Sequence, residues 1–253
     1  MYNTLIFTPL YNILVEIMNL IPGIGLGVAV IIFTIVIKVI LFPLTKKALI
    51  TQVKMKAIEP EVNKIRHQYA NNKQEQAIKI MEFYKAKNIK PLFGVLLMFI
   101  QLPILFALIS VIYHVIPEVN PQYLYSFVTV PHISTTLFGI DITNKSLILA
   151  LLVAVSQYIQ LKYSVSMRQQ KSVSDKILKN GGKLDASSEI ANNLNSQMKI
   201  MMPILAFVSV YWLIPIKFPA ASSVIAIYWI VSSIFTLVQE LYIKRKHLGE
   251  DVA

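Results

Sequence analysis

Residues 28–43 read VAVIIFTIVIKVILFP, an apolar run that contains one charged residue, Lys38. A lysine in the middle of a membrane-spanning helix costs roughly 2.5–3.5 kcal/mol, whereas each Leu, Ile, Phe or Val returns about 0.3–0.6 kcal/mol. About a dozen such apolar residues surround Lys38, so the run still predicts a membrane-spanning helix. This helix alone gives no reason for the presence of the lysine.

The composition of the whole chain is that of an integral membrane protein. Of its 253 residues, 55% are hydrophobic and 15% are charged, and the mean hydropathy is +0.60; soluble domains carry about 25% charged residues. The absence of cysteine excludes disulfides, cysteine-based zinc sites and thiol nucleophiles. The four histidines have no metal-ligand spacing, and no carboxylate pair or Ser/His/Asp set is evident. The sequence therefore predicts no metal, no cofactor and no enzymatic activity.

Four further apolar segments predict an all-α integral membrane protein with a five-helix transmembrane bundle. Positively charged loops mark the cytoplasmic side of such a protein. The loops 44–90 and 162–199 and the chain after residue 243 are basic, whereas 116–144 contains no Lys or Arg. We therefore expect the N-terminus outside and the C-terminus in the cytoplasm. The expected spans are 24–43, 92–115, 146–161, 200–214 and 222–242.

The regions outside the spans complete the expected domain organisation. Residues 1–22 are apolar but interrupted by Asn, Glu and Pro, and we expect an amphipathic segment at the extracytoplasmic membrane interface. Gly23, Gly25 and Gly27 are interpreted as a flexible entry to the first span. Residues 23–246 form the core, and 247–253 form a short C-terminal tail.

The loop 44–90 is expected to form a helical hairpin in the cytoplasm. It holds eleven Lys or Arg residues and four Glu residues, with apolar residues at helical spacing and Pro60 at a kink or a helix start. A basic surface of this kind is usually a solvated helix face. It also suits anionic lipids, at about 1 kcal/mol per charge, or the phosphates of ribosomal RNA, and these alternatives stay open. The candidate contact residues are Lys54, Lys56, Lys64, Arg66, Lys73 and Lys79.

Polar residues at membrane depth predict a hydrophilic cavity inside the bundle. Thr34 and Lys38 lie four residues apart on one helix face. Lys38 is about five residues, or roughly 7–8 Å, from the cytoplasmic end, so its ammonium either reaches the headgroups or faces inward as a functional charge. Serines in spans also serve helix packing, and Gln101 and Gln157 also suit interhelical hydrogen bonds. The candidate cavity residues are Thr34, Lys38, Gln101, Gln157, Gln160, Trp229 and Ser232.

The order of these features resembles the YidC/Oxa1/Alb3 family of membrane protein insertases. The resemblance covers about residues 4–246, and it implies five core helices around a hydrophilic groove that is open to the cytoplasm and to lipid and closed on the outer side. The family's essential positive residue, usually Arg, falls on Lys38, and its polar groove residues fall on Gln101, Gln157 and Trp229. The motifs that carry the resemblance are TIVIKVILFPL (34–44), QVKM (52–55), IKPL (89–92), QLPI (101–104), MKIMMP (198–203) and YW (228–229).

The resemblance implies a Sec-independent insertase and chaperone in a bacterial cell membrane. The implied partners are nascent membrane proteins and the lipid bilayer, with the ribosome and the Sec translocon as further candidates and no DNA. The sequence departs from the family pattern at three places: Lys38 replaces Arg, VLL (95–97) replaces the usual Cys-Leu-Pro, and 220–223 lacks a glycine. The alternative function is a small channel or transporter that uses Lys38 as an anion site.

Overall fold

The structure is a computed structural model that describes residues 3–21, 23–90, 92–116, 118–163, 197 and 199–247. For residues 56, 92–102, 220, 244 and 246–247 it describes the backbone alone. The predicted cytoplasmic loop 162–199 and the predicted tail 247–253 lie almost entirely outside the described residues.

The described residues are mostly helical, which confirms the all-α class. Two-residue strands at Thr136–Leu137 (β1) and Ile140–Asp141 (β2) pair antiparallel. The described residues form two compact units, one within 1–41, 100–161 and 197–238, the other within 42–99 and 239–247. The helices are α1 (Thr8–Leu20), α2 (Leu26–Ile40), α3 (Phe42–Ala57), α4 (Glu59–Gln68), α5 (Lys73–Ala86), α6 (Leu92–Val115), α7 (Leu147–Tyr163), α8 (Lys199–Lys217) and α9 (Ser222–His247).

Several of these helices have the length and composition of membrane spans. Within the described residues, Lys199–Lys217 and Ser222–Ile243 are each long and apolar enough to cross a membrane, and α2 with α3 makes a third if the two count as one broken span. Pro103–Val115 and Leu147–Tyr163 are shorter apolar helices. The chain is thus a membrane protein by composition and helix length, while the number of five spans stays a prediction.

Helix α7 has an apolar face that the described fold leaves exposed. Leu149, Ala150 and Val153 are buried on one side of the helix. Large apolar residues on the other side recur at helical spacing and remain exposed, which is the pattern of a helix whose outer face meets lipid. These exposed residues are Leu147, Ile148, Leu151, Leu152, Val155 and Ile159.

The core of the first unit forms around one face of α2. Leu26, Ala29, Val30, Phe33 and Ile37 recur at three- and four-residue spacing, and all are buried. Helix α1 packs against this helix and buries most of its own apolar side chains. The core continues through buried residues of α6, α7 and the first half of α9.

Helix α1 is joined to the loop 118–144 by side-chain hydrogen bonds, and we call these two segments together the cap. Asn12 is 3% exposed; its Nδ2 donates to the Tyr123 carbonyl at 2.8 Å, and its Oδ1 accepts from the Tyr125 N–H at 2.7 Å. Asn19 Nδ2 donates to the Thr129 carbonyl at 2.9 Å. The asparagines that interrupt the apolar sequence of residues 1–22 therefore bind backbone groups of a distant loop.

An aromatic cluster also joins the start of α1 to other segments of the first unit. The rings of Phe7, Tyr11, His114 and Tyr123 pack with centroids 5.0–5.8 Å apart. The Tyr11 hydroxyl accepts a hydrogen bond from the Asn120 N–H at 2.7 Å. Burial of Tyr11 raises the pKa of its phenol, so the hydroxyl stays protonated at neutral pH. The helix of the predicted interfacial segment is thus packed into the first unit.

The glycines before α2 allow a close approach of two backbones. The Leu26 N–H donates to the Ser134 carbonyl at 2.8 Å. A Cβ at Gly25 would lie 3.0 Å from the Ser134 oxygen, and a Cβ at Gly27 would lie 3.0 Å from Leu137 side-chain atoms. Gly25 and Gly27 are therefore explained by contact with the β1–β2 hairpin, and their interpretation as a flexible entry was wrong.

The second unit contains the helices that the sequence predicts for the loop 44–90. Pro60 lies in the first turn of α4, so it starts a new helix. Asn72 caps α5 by accepting from the Glu75 N–H at 3.2 Å. Gln76 of α5 reaches back to α4, where its Nε2 donates to the Arg66 carbonyl at 2.7 Å. Helices α4 and α5 are therefore joined by a turn at residues 69–72 and by a direct side-chain contact.

Candidate functional site

Lys38 lies in the last turn of α2 and contacts the last helix of the first unit. Its Nζ donates a hydrogen bond to Thr236 Oγ1 of α9 at 3.1 Å. The side chain is partly buried. A cation at this position is favoured by the carboxyl end of its own helix, which carries partial negative charge. The ammonium is therefore held against a hydroxyl on a second apolar helix that is long enough to span a membrane.

Polar residues continue along the face of α9 that carries Thr236. Trp229, Ser232 and Thr236 follow the i, i+3, i+7 spacing that places side chains on one helix face. Ser232 is buried, and Trp229 is partly buried. Thr236 was missed by the sequence analysis. Its periodic relation to Trp229 and Ser232 was the signal that could have identified it.

Thr34, one turn before Lys38, is fully buried. Its Oγ1 donates to the Val30 carbonyl of the same helix at 2.6 Å. The hydroxyl is thus used within α2, as is common for threonine in membrane helices. A place for Thr34 in the lining of a groove stays a prediction.

Helix α7 contributes Gln157 and Gln160, which are both partly buried. The Oε1 atom of Gln157 is buried, and the described residues offer it no hydrogen-bond partner. A buried acceptor without a partner costs about 1–3 kcal/mol, so this oxygen is suited to a donor from outside the described chain, such as water or a peptide N–H. The predicted position of both glutamines beside Lys38 stays a prediction, and the side chain of Gln101 lies outside the described part of the chain.

The predicted contact residues of the second unit lie at its surface. Lys54, Lys64 and Lys73 are exposed. Arg66 donates from Nη1 to Asn63 Oδ1 at 3.1 Å, and Lys79 pairs with Glu82 at 3.0 Å. The hydrogen bond to Glu82 raises the pKa of Lys79. Lys56 has no described side chain.

Comparison with known proteins decides the family. Residues 17–250 match the model of the family described as 60Kd inner membrane protein. The chain belongs to this family. The match begins in the last turn of α1 and includes Lys38, Thr236 and the loop 118–144 of the cap.

Relatives of this chain in the 60Kd inner membrane protein family are named membrane protein insertase YidC. One from Fusobacterium nucleatum subsp. nucleatum is 32% identical over 223 residues, which cover 87% of this chain and 86% of the relative. One from Clostridium tetani is 28% identical over 224 residues, with 88% and 84% covered. A longer one from Syntrophobacter fumaroxidans is 24% identical over 221 residues, which make up 34% of its length. Relatives of this family therefore differ greatly in length.

Proposed function

We propose that this chain is a membrane protein insertase and chaperone. It moves polar segments of nascent membrane proteins into a hydrophilic groove within the membrane and releases their apolar segments to lipid. The observation that carries the proposal is the Lys38 ammonium, which is partly buried and held 3.1 Å from Thr236 on another apolar helix. The names of the relatives support the same function.

The charge of Lys38 attracts the part of a substrate that lipid rejects. An acidic or polar extracytoplasmic tail loses its hydration when it enters the bilayer, and this loss is the main barrier to its transfer. An ammonium at membrane depth lowers the barrier, because two opposite charges interact more strongly where water is scarce. The tail therefore has a site part-way across the membrane.

The apolar segment of the substrate supplies the driving force. About 20 residues of Leu, Ile, Phe or Val character return roughly 6–12 kcal/mol when they pass from an aqueous groove into lipid. This free energy is enough for transfer without nucleotide hydrolysis. Lys38 provides the charge, the Gln157 oxygen accepts a donor from the passing chain, and Trp229 with Ser232 lines the path on α9.

The charges of the loops support an assignment of the side of the membrane that each segment around the groove faces. The basic segments 44–90 and 162–199 face the cytoplasm, and the cap closes the extracytoplasmic end. The candidate contact residues on the cytoplasmic side bind the substrate, the ribosome, anionic lipid or the Sec translocon; they are Lys54, Lys56, Lys64, Arg66, Lys73 and Lys79. The membrane is the bacterial cell membrane, with the N-terminus outside and the C-terminus in the cytoplasm.

The test is insertion by purified variants reconstituted in liposomes. Two substrates are compared that differ only in whether the translocated tail carries carboxylates or the matching amides. Hydrogen bonds to charged groups are worth about 1.5–3 kcal/mol, so Lys38→Ala should reduce insertion of the acidic substrate roughly 10- to 100-fold and that of the amide substrate much less. Lys38→Arg should retain activity.

Two further variants make the test specific. Lys90→Ala removes an exposed lysine of the second unit and should leave insertion unchanged. Thr236→Val keeps the ammonium but removes its hydroxyl partner, and Thr236→Ser should restore what Thr236→Val loses. Full insertion of the acidic substrate by Lys38→Ala would refute the role of this charge. Ion flux through the protein without substrate would instead support a channel.

A further inference from the structure

The turn of the β1–β2 hairpin carries a residue that such turns seldom accept. Phe138 and Gly139 connect Leu137 to Ile140, and their φ angles are +49° and +79°. Two-residue turns with positive φ at both positions favour Asn-Gly or Asp-Gly, because a side chain with a bulky Cβ substituent is strained there. The local backbone therefore gives no reason for phenylalanine at this position.

The environment of Phe138 within the fold gives no reason either. Its side chain is 91% exposed, the highest value among the large apolar residues of the described chain. A Cβ added at Gly139 would meet no atom of the described residues within 4 Å. The hairpin tip thus extends away from the first unit with an aromatic ring at its end.

The hairpin lies at the start of α2. The Ser134 carbonyl accepts from the Leu26 N–H, and Leu137 packs where Gly27 leaves space. On the other side, the chain enters α7 soon after β2, and α7 exposes Leu147 and Ile148 in its first turn. The base of the hairpin therefore contacts the amino end of α2, and the chain begins α7, whose first turn is apolar and exposed, shortly after β2. The amino ends of apolar helices are where a membrane passes from acyl chains to headgroups.

We propose that the hairpin anchors the cap in the membrane by inserting the Phe138 ring among the lipids of the adjacent leaflet. Lipid is the occupant that fits the sequence, because residues 116–144 contain no Lys or Arg and carry Glu118 and Asp141. The loop thus has no Lys or Arg to attract anionic headgroups, and insertion of the apolar ring is the remaining way in which it binds the membrane. Aromatic side chains are enriched at this depth of the bilayer. This role goes beyond insertase activity and does not depend on it.

The experiment uses the natural absence of cysteine in the chain. A single cysteine at the exposed Thr136 carries an environment-sensitive fluorophore in full-length protein reconstituted into phosphatidylcholine and phosphatidylglycerol vesicles. Some of the vesicles contain lipids with a nitroxide quencher near the top of the acyl chain. The same label at the exposed Gln122 serves as the position away from the hairpin.

We expect the acyl-chain nitroxide to quench the label at Thr136 at least twofold more than the label at Gln122. Phe138→Ser should abolish the difference, whereas Phe138→Leu should keep most of it. Phe138→Ser removes an exposed ring and leaves the fold intact, which unchanged quenching at Gln122 will verify. Equal quenching at both positions, or a difference that survives Phe138→Ser, would overturn the proposal. Protection of the label only after a second protein is added would overturn it too.

Discussion

Substitution of Asn12 by leucine should open the cap. Leucine has a similar volume, so the change leaves the packing of α1 intact and removes two hydrogen bonds to the loop. The Tyr123 carbonyl and the Tyr125 N–H then lack the partner that now lies at 2.8 and 2.7 Å. A buried polar group without a partner costs about 1–3 kcal/mol, so the pair costs roughly 2–5 kcal/mol. The open population of the loop should rise roughly 30- to 4,000-fold.

Hydrogen exchange read by mass spectrometry measures this population directly. The protein is held in nanodiscs, and the peptide that contains residues 121–130 is followed with time. Exchange through local opening reports the free energy of that opening, so Asn12→Leu should speed exchange in this peptide and leave peptides of α9 unchanged. The matched control is Asn19→Ala, which removes one exposed bond to the Thr129 carbonyl. It should change exchange less than about tenfold.

Three outcomes would contradict this reasoning. If Asn12→Leu exchanges at the parent rate, the loop is held by the aromatic cluster alone, and the hydrogen bonds of Asn12 contribute nothing net. If Asn12→Leu and Asn19→Ala speed exchange equally, burial does not set the cost of losing these bonds. Faster exchange throughout the first unit would show global unfolding, and the loop would then not open on its own.

Two other predictions concern the same end of the molecule. Gly27→Ala places a Cβ 3.0 Å from Leu137 side-chain atoms, so it should cost about 1–3 kcal/mol and speed exchange in the hairpin. Gly23→Ala meets no atom within 4 Å, so its only cost is the backbone strain at a φ of +85°, and it should leave the hairpin in contact with α2. Hydrogen bonds from the Thr143 hydroxyl and N–H hold the pKa of Asp141 below its usual range. Protection of the hairpin amides, which is their exchange rate relative to the intrinsic rate at the same pH, should therefore be constant above about pH 5 and fall as the pH drops below about 4. Asp141→Asn should remove this pH dependence, and an unchanged acid response would show that another group titrates.

The local pattern of apolar and polar residues was sufficient to predict the helices. Apolar runs and their polar ends predict spans at 92–115 and 222–242, and helices lie at Leu92–Val115 and Ser222–His247. Pro60 marks a helix start because its ring fits only the first turn. Lys38 could be identified as a candidate functional residue from the sequence alone, because a lysine within an apolar helix has a large free-energy cost in lipid.

Contacts between distant residues could not be predicted in the same way. Asn12 reads as an interruption of an apolar segment, and its partners lie 111 and 113 residues away. From the sequence alone, Gly27 is interpreted as a flexible position. The contact that leaves no space for a Cβ there is made by the Leu137 side chain, which belongs to another element. The β1–β2 hairpin was missed since each strand has two residues and its turn lacks the usual Asn-Gly. Thr236 was recognised through its hydrogen bond to Lys38, although its helical spacing from Trp229 and Ser232 could already be seen in the sequence.

The separation in sequence between the two parts of the cap has a consequence for the synthesis of the protein itself. Helix α1 leaves the ribosome before the loop, and the loop groups that pair with Tyr11 and Asn12 follow 109–113 residues later. At about 5–20 residues per second, the interval is roughly 5–20 s. During that time α1 presents unpaired amide and hydroxyl groups beside the bilayer. Until the loop follows, these polar groups of the nascent chain need water or another protein as their hydrogen-bond partner.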